Sequence, residues 1–159
     1  MVSSSRRAGT GRAKSSRRGV PLESMTALFR QRGTPSEVIE HSIIVAKIAK
    51  GIASQIARKK SKIGGLKLES TPSQIYSAGW LHDFVKTKAG YDENHASHAG
   101  KLLRRRHGEI ATIVGSHGYT NLLRKNLTLA EKIMIYCDLR VSGNKIVSLE
   151  ERFINRSIK

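Results

Sequence analysis

The stretch Gly79-Trp80-Leu81-His82-Asp83-Phe84-Val85-Lys86-Thr87 decides how this chain is read. An imidazole and a carboxylate stand side by side in an apolar helical run, where two polar groups are costly unless a partner satisfies both. A divalent cation is such a partner. Metal sites draw their ligands from several places in a fold, so other His, Asp and Glu residues on apolar faces become candidates. They are His41 upstream and His95, His117 and Asp138 downstream, each on a separate expected helix.

Working outward, Thr71-Pro72-Ser73-Gln74 is a capping box that opens the helix carrying Ile75, Ala78, Gly79 and His82 on one face. Asp83 is rotated from His82 by about 100°, so a shared cation has to lie between the two side-chain directions. Upstream, Thr34-Pro35-Ser36-Glu37 is a similar signal, with proline at the first helical position. It predicts a long helix to about Lys60 with Val38, His41, Val45, Ile48, Ile52 and Ile56 as its inward stripe. The basic run Arg58 to Lys62 suits a helix C-terminus, and Gly64-Gly65 breaks the chain. Before it, Pro21 to Arg32 is expected as a first helix that packs through Leu22, Met25, Leu28 and Phe29 and stops at Gly33.

Downstream, residues 88–94 form a polar loop, and His95, His98, Leu102 and Leu103 then share one side of a helix expected to end at Gly108. From Glu109 another helix places Ile110, Ile113, Val114 and His117 together and ends on Gly118. Thr128 to Glu131 is a capping box for a helix whose inner face holds Met134, Ile135, Asp138 and Val141. Ser148 to Glu151 starts a short last helix with Phe153 and Ile154. No strand and no repeat is expected. The fold class is all-α, a multi-helix bundle.

The chain has 159 residues, 38% of them hydrophobic, and a net charge of +17, which allows one domain with a real core and predicts attraction to polyanions. Residues 1–20 are Ser-, Gly- and Arg-rich without acids and are expected to be a disordered basic tail, leaving 21–159 as the domain. No run is long and apolar enough for a membrane span, and residues 1–20 lack the apolar central region of a secretory signal. The expected location is the cytoplasm; an organellar transit peptide shares the composition of residues 1–20 but is more amphipathic. Cys137, the only cysteine, sits in an apolar helix and is expected to be a buried, inert thiol. Arg104 to Arg106 and Arg58 to Lys62 read as solvated helix ends, and His107 as a helix-terminal structural residue. The oligomeric state is not legible.

The order His41, His82-Asp83, Asp138, with Lys86 three residues after the doublet and further histidines between, resembles the HD superfamily of metal-dependent phosphohydrolases. The resemblance spans roughly Thr34 to Phe153. It implies an HD-domain bundle with His41, His82, Asp83 and Asp138 as metal ligands. His95 and His117 resemble the extra histidines of two-metal families, and His98, one turn from His95, either lines the pocket or replaces it. Such mixed imidazole and carboxylate ligands suit one or two divalent transition metals, with Fe, Mn, Co, Ni and Zn all open.

The activity implied is hydrolysis of a nucleotide-type phosphoester or phosphoanhydride by a metal-activated water, with Asp83 catalytic and Lys86 contacting a phosphate oxygen. His98 and Arg140 are further candidates for substrate contact. The doublet lacks the following Glu-Asp pair of alarmone hydrolases, and Thr120 follows His117-Gly118-Tyr119 where the cyclic-di-nucleotide class has proline. The order of ligands looks closest to two-metal families that include diadenosine tetraphosphate hydrolases. The alternative is a basic nucleic-acid-binding module or nuclease with a weak or vestigial HD site, using the tail and the basic helix ends.

Overall fold

The chain is described here by a computed structural model in which residues 18–59, 67–90 and 94–157 are placed. The expected Gly64-Gly65 break and the tail up to residue 17 lie outside the described residues. Two gaps aside, the elements follow in order: α1 Leu22–Arg32, α2 Ser36–Arg58, α3 Pro72–Leu81, α4 His95–Arg104 and α5 Gly108–Gly115. A 3-10 turn at Tyr119–Leu123, α6 Leu129–Leu139, a hairpin of β1 Val141–Ser142 and β2 Lys145–Ile146, and α7 Leu149–Ser157 complete it. Among the described residues the bundle is all-α apart from that hairpin and an isolated bridge between Thr87 and Gly90. No helix among the described residues is long and apolar enough to cross a membrane.

Side-chain caps account for three helix starts, those of α3, α6 and α7. Thr71 and Thr128 each accept the N–H three residues on, while Gln74 and Glu131 reach back to the capping residue's own N–H, as capping boxes require. At α7 the Ser148 Oγ accepts from Glu151 N at 3.0 Å. Gly33 ends α1 with φ of +63°, a left-handed conformation that glycine adopts without steric cost.

Thr34 departs from expectation. Its hydroxyl donates to the Phe84 carbonyl at 2.8 Å, fifty residues away, and Pro35 takes the N-cap position with no side-chain cap. The hydroxyl thus ties the start of α2 to the turn that follows the His82-Asp83 doublet.

The inward face of α2 also differs from the predicted stripe. Ser42, Val45, Ala46, Ala49 and Ala53 are buried, whereas Ile48, Ile52 and Ile56 are only half-buried. The reason is α3: a Cβ on Gly79 would sit 2.5 Å from Ala46 Cα, so the two helices meet backbone to backbone and only small side chains fit between them. α2 packs on α3 and α6, α5 joins α3 and α6 from the other side, and α4 pairs with α5. Ile75, Leu81, Val114 and Met134 fill the centre. Cys137 is buried there too, and burial together with the Asp138 charge pushes its thiol up to about 12, which leaves it protonated and inert.

Four further expectations are corrected. Leu22 is 55% exposed, so α1 docks through Met25 and Phe29. Gly108 begins α5 and does not end α4, which stops at Arg104, and α5 stops at Gly115 before reaching Gly118. The hairpin at 141–146, with Gly143 at φ of +58° in its turn, replaces the strand-free reading. Val20 is buried and its N–H donates to Ser77 Oγ at 2.8 Å, so packing begins before residue 21.

Candidate metal centre

All six predicted donors stand at or near helix ends, and those ends face one another. His41 lies in the second turn of α2, Asp138 is the penultimate residue of α6, and His95 is the first residue of α4. His117 follows α5 by two residues. α3 ends at Leu81, after which the chain tightens into i to i+3 turns, with Phe84 N–H to Leu81 O at 3.4 Å and Lys86 N–H to Asp83 O at 2.9 Å. His82 and Asp83 are consecutive residues of this turn, and their side chains still reach a common point, with His82 Nε2 3.3 Å from Asp83 Oδ2.

Two linked donor sets result. In the first, Asp138 Oδ1 lies 3.1 Å from His41 Nε2 and 3.5 Å from His82 Nε2. In the second, Asp83 Oδ1 lies 3.3 Å from His95 Nε2 and 3.4 Å from His117 Nε2, and those two nitrogens are 3.2 Å apart. His82 Nε2 also stands 3.3 Å from Asp83 Oδ2, which joins the sets. Two ligands each about 2.1 Å from an ion are separated by about 3.0–3.4 Å at angles between 90° and tetrahedral. The observed spacings therefore have the size expected of donors around a common ion.

In three of the four histidines the ring nitrogen pointing away is held by the main chain. His41 Nδ1 is 3.0 Å from Gly143 O, His82 Nδ1 2.8 Å from Gly79 O, and His117 Nδ1 2.6 Å from Val114 O. A carbonyl can only accept, so each Nδ1 carries the proton and donates it, which turns the Nε2 lone pair of a neutral ring inward. Both His82 Nε2 and Asp83 Oδ1 are buried without a hydrogen bond. Orphaned polar atoms at this depth are costly, and a divalent cation satisfies both. The residues fit a metal.

Electrostatics agree. Burial works against ionising Asp83, but His82, with contacts from His117 and His95, outweighs it and holds the carboxyl well below its usual range. Asp138 is depressed likewise: burial opposes, His41 and His82 prevail. Burial would lower His82, yet the two carboxylates raise it to about 10, whereas burial keeps His117 below its ordinary value. Without metal, one proton on His82 thus partly balances two carboxylates, in the place where a dication would balance them better.

Other predicted residues fall differently. Lys86 Nζ makes an ion pair with Asp83 Oδ2 at 2.6 Å. His98 is exposed and belongs to neither donor set. Arg140 is turned to the hairpin: its guanidinium donates to Val147 O and, at 2.7 Å, to Tyr136 Oη, and it stacks on that ring. The carbonyl acceptors were not foreseen, since no side chain announces them. The Gly143-Asn144 pair, a two-residue hairpin signal between Val141-Ser142 and Lys145-Ile146, could have revealed one.

The helix ends of this bundle gather four histidines and two aspartates in positions that could hold a divalent metal. The family model for the HD domain matches residues 38–140, well over half of the chain and enclosing His41 through Asp138, and the chain belongs to the HD-domain family. That family lies in the superfamily of metal-dependent phosphohydrolases. No curated protein and no solved structure matches the chain significantly.

Proposed function

We propose that the protein is a metal-dependent phosphohydrolase that cleaves a nucleotide-type phosphoester or phosphoanhydride. The observation that carries this reading is the placement of Asp83: one oxygen faces His95 and His117, the other His82 and Lys86. A carboxylate so shared suits a two-metal centre, with His41, His82, Asp83 and Asp138 holding one ion and Asp83, His95 and His117 the other. When bound, such ions supply positive charge for phosphoryl oxygens and an acidified water. Fe, Mn, Co, Ni and Zn all suit the ligand set.

The chain's own residues supply the rest. The Nδ1 anchors fix the His41, His82 and His117 rings before substrate arrives, so these need no reorientation during the reaction. Lys86, half-buried beside Asp83, offers an ammonium to a non-bridging phosphate oxygen and limits the movement of Asp83. Arg140 braces α6 against the hairpin through Val147 O and Tyr136 Oη. Nucleotide-type substrates agree with the strongly basic chain, which concentrates polyphosphates near its surface.

The test is a screen of nucleoside mono-, di- and triphosphates, dinucleoside polyphosphates, cyclic nucleotides and short RNA with each candidate metal, run beside Asp83→Ala. Turnover that needs metal and disappears in the variant supports the reading. Absence of turnover with every metal, or equal turnover in the variant, refutes it.

A further inference from the structure

The face of α4 turned away from His95 carries a second feature. At about 100° per residue, Arg104 lies about 180° around the helix from His95 and Lys101 about 240°. Lys101 and Arg104, with Arg124 from the segment after the 3-10 turn, surround a groove of about 250 Å³ between α4 and α5. Its floor is main chain: a Cβ on Gly100 would come within 2.9 Å of Ala111 O and Gly115 Cα, so the helices touch there and nothing projects into the space between the cations. Ser97 and Thr112 add hydroxyls to the walls.

The three cations are exposed, and among the described residues none of them forms an ion pair with a carboxylate. Arg124 makes only a 3.4 Å contact with Asn121 Oδ1. The single acid lining the groove, Glu131, is buried and committed to the Thr128 N–H and hydroxyl, both at 2.8 Å. The dipole of α4 accounts for Lys101 and Arg104 near its C-terminus, but not for Arg124, which reaches the groove from another element. Exposed Arg105 and Arg106 continue the positive strip beyond the groove.

We propose that this groove binds the phosphodiester backbone of a nucleic acid. An extended polyanion fits better than a free nucleotide for two reasons. The positive strip outruns the groove, and no aromatic ring lines it to stack a base. Contacts of this kind are made to phosphates, so binding is insensitive to sequence and falls steeply with salt. The groove stands on the opposite side of α4 from the donor cluster, and the proposal does not depend on hydrolysis at that cluster.

The test is fluorescence anisotropy of labelled duplex RNA and duplex DNA against the full chain, with chelator present, between about 50 and 200 mM salt. Lys101→Glu with Arg104→Glu is expected to weaken binding at least about tenfold and to reduce the slope of log affinity against log salt by about 2, one for each lost phosphate contact. Arg124→Glu, in a different element, is expected to reduce it by about 1, and it decides the matter alone if the double variant melts early. Lys47→Glu with Lys67→Glu changes the total charge equally at exposed sites elsewhere and is expected to shift affinity by less than about threefold. Equal losses in the two double variants would overturn the proposal, as would wild-type protein that binds neither duplex. It would also be overturned if the groove variants kept duplex binding but lost binding to a free nucleoside triphosphate or to anionic-lipid vesicles.

Discussion

Removing metal should reverse the way this protein responds to alkali. His82 has its pKa raised from the ordinary 6.5 to about 10 in the folded, metal-free chain, against burial and through Asp83 and Asp138. At 1.36 kcal/mol per pH unit that rise corresponds to a contribution of about 5 kcal/mol. Because the folded state holds the proton more tightly than the unfolded state, the contribution is complete below pH 6.5 and is lost as pH climbs toward 10. The depressed carboxyls of Asp83 and Asp138 act at the other end, stabilising above the ordinary carboxylate range and losing that effect only in acid.

Stripped protein should therefore melt progressively lower between pH 6.5 and 9.5, by on the order of 10 °C for a chain of this size. Reduced self-repulsion works in the opposite direction, since the net charge of +17 shrinks as pH approaches the pI of 10.6. Metal reverses the trend, because it competes with the His82 proton and binds more tightly as pH rises. Calorimetric melts of chelator-treated and reloaded protein across that range, with His82→Asn as the non-titrating control, read both slopes. A melting point that stays level or rises in the stripped wild type would refute the electrostatic account of the centre.

Asp83→Ala is expected to abolish metal-dependent turnover, whereas Lys86→Ala should keep the metal content seen by elemental analysis and lose mainly kcat/KM for the phosphorylated substrate. Gly143→Val strains a residue at φ of +58° and displaces the carbonyl that anchors His41, so metal affinity in a competition titration should fall about 10- to 100-fold, with Gly143→Asn largely sparing it. Deleting residues 1–20 removes the buried Val20 and its bond to Ser77, so urea midpoints should report a loss of about 1–3 kcal/mol in place of the neutral truncation expected of a disordered tail. An unchanged midpoint would show that these contacts contribute nothing.

What was legible in the sequence was local. Thr71 and Thr128 cap helices within four residues, and their boxes could be read directly. Thr34 has the same pattern but bonds to Phe84 instead, because a carbonyl distant in sequence is closer in space than its own helix start. The stripe of α2 failed similarly: periodicity favours Ile48, Ile52 and Ile56, yet the approach of Gly79 to Ala46 selects the alanine face. The six donors were recognisable as polar groups on apolar faces, and the structure gathers them. What joins them was not recognisable. The turn after Leu81, the Lys86 pair with Asp83, and the diversion of Arg140 to Val147 and Tyr136 are all consequences of packing.

The anchoring of three imidazoles by Gly143, Gly79 and Val114 carbonyls makes ring orientation a property of the backbone trace. Side-chain changes around those carbonyls leave the acceptors in place unless they bend the chain, as a β-branched residue at Gly143 or a Cβ at Gly79 would. The centre is in this respect tolerant of drift in its surroundings and intolerant of small insertions in the turns beside it. A designer could therefore replace the carboxylates, to retune metal preference or charge, while the histidines keep their aim. Lengthening the 143–144 turn by a single residue would disturb the aim of His41 without touching any donor.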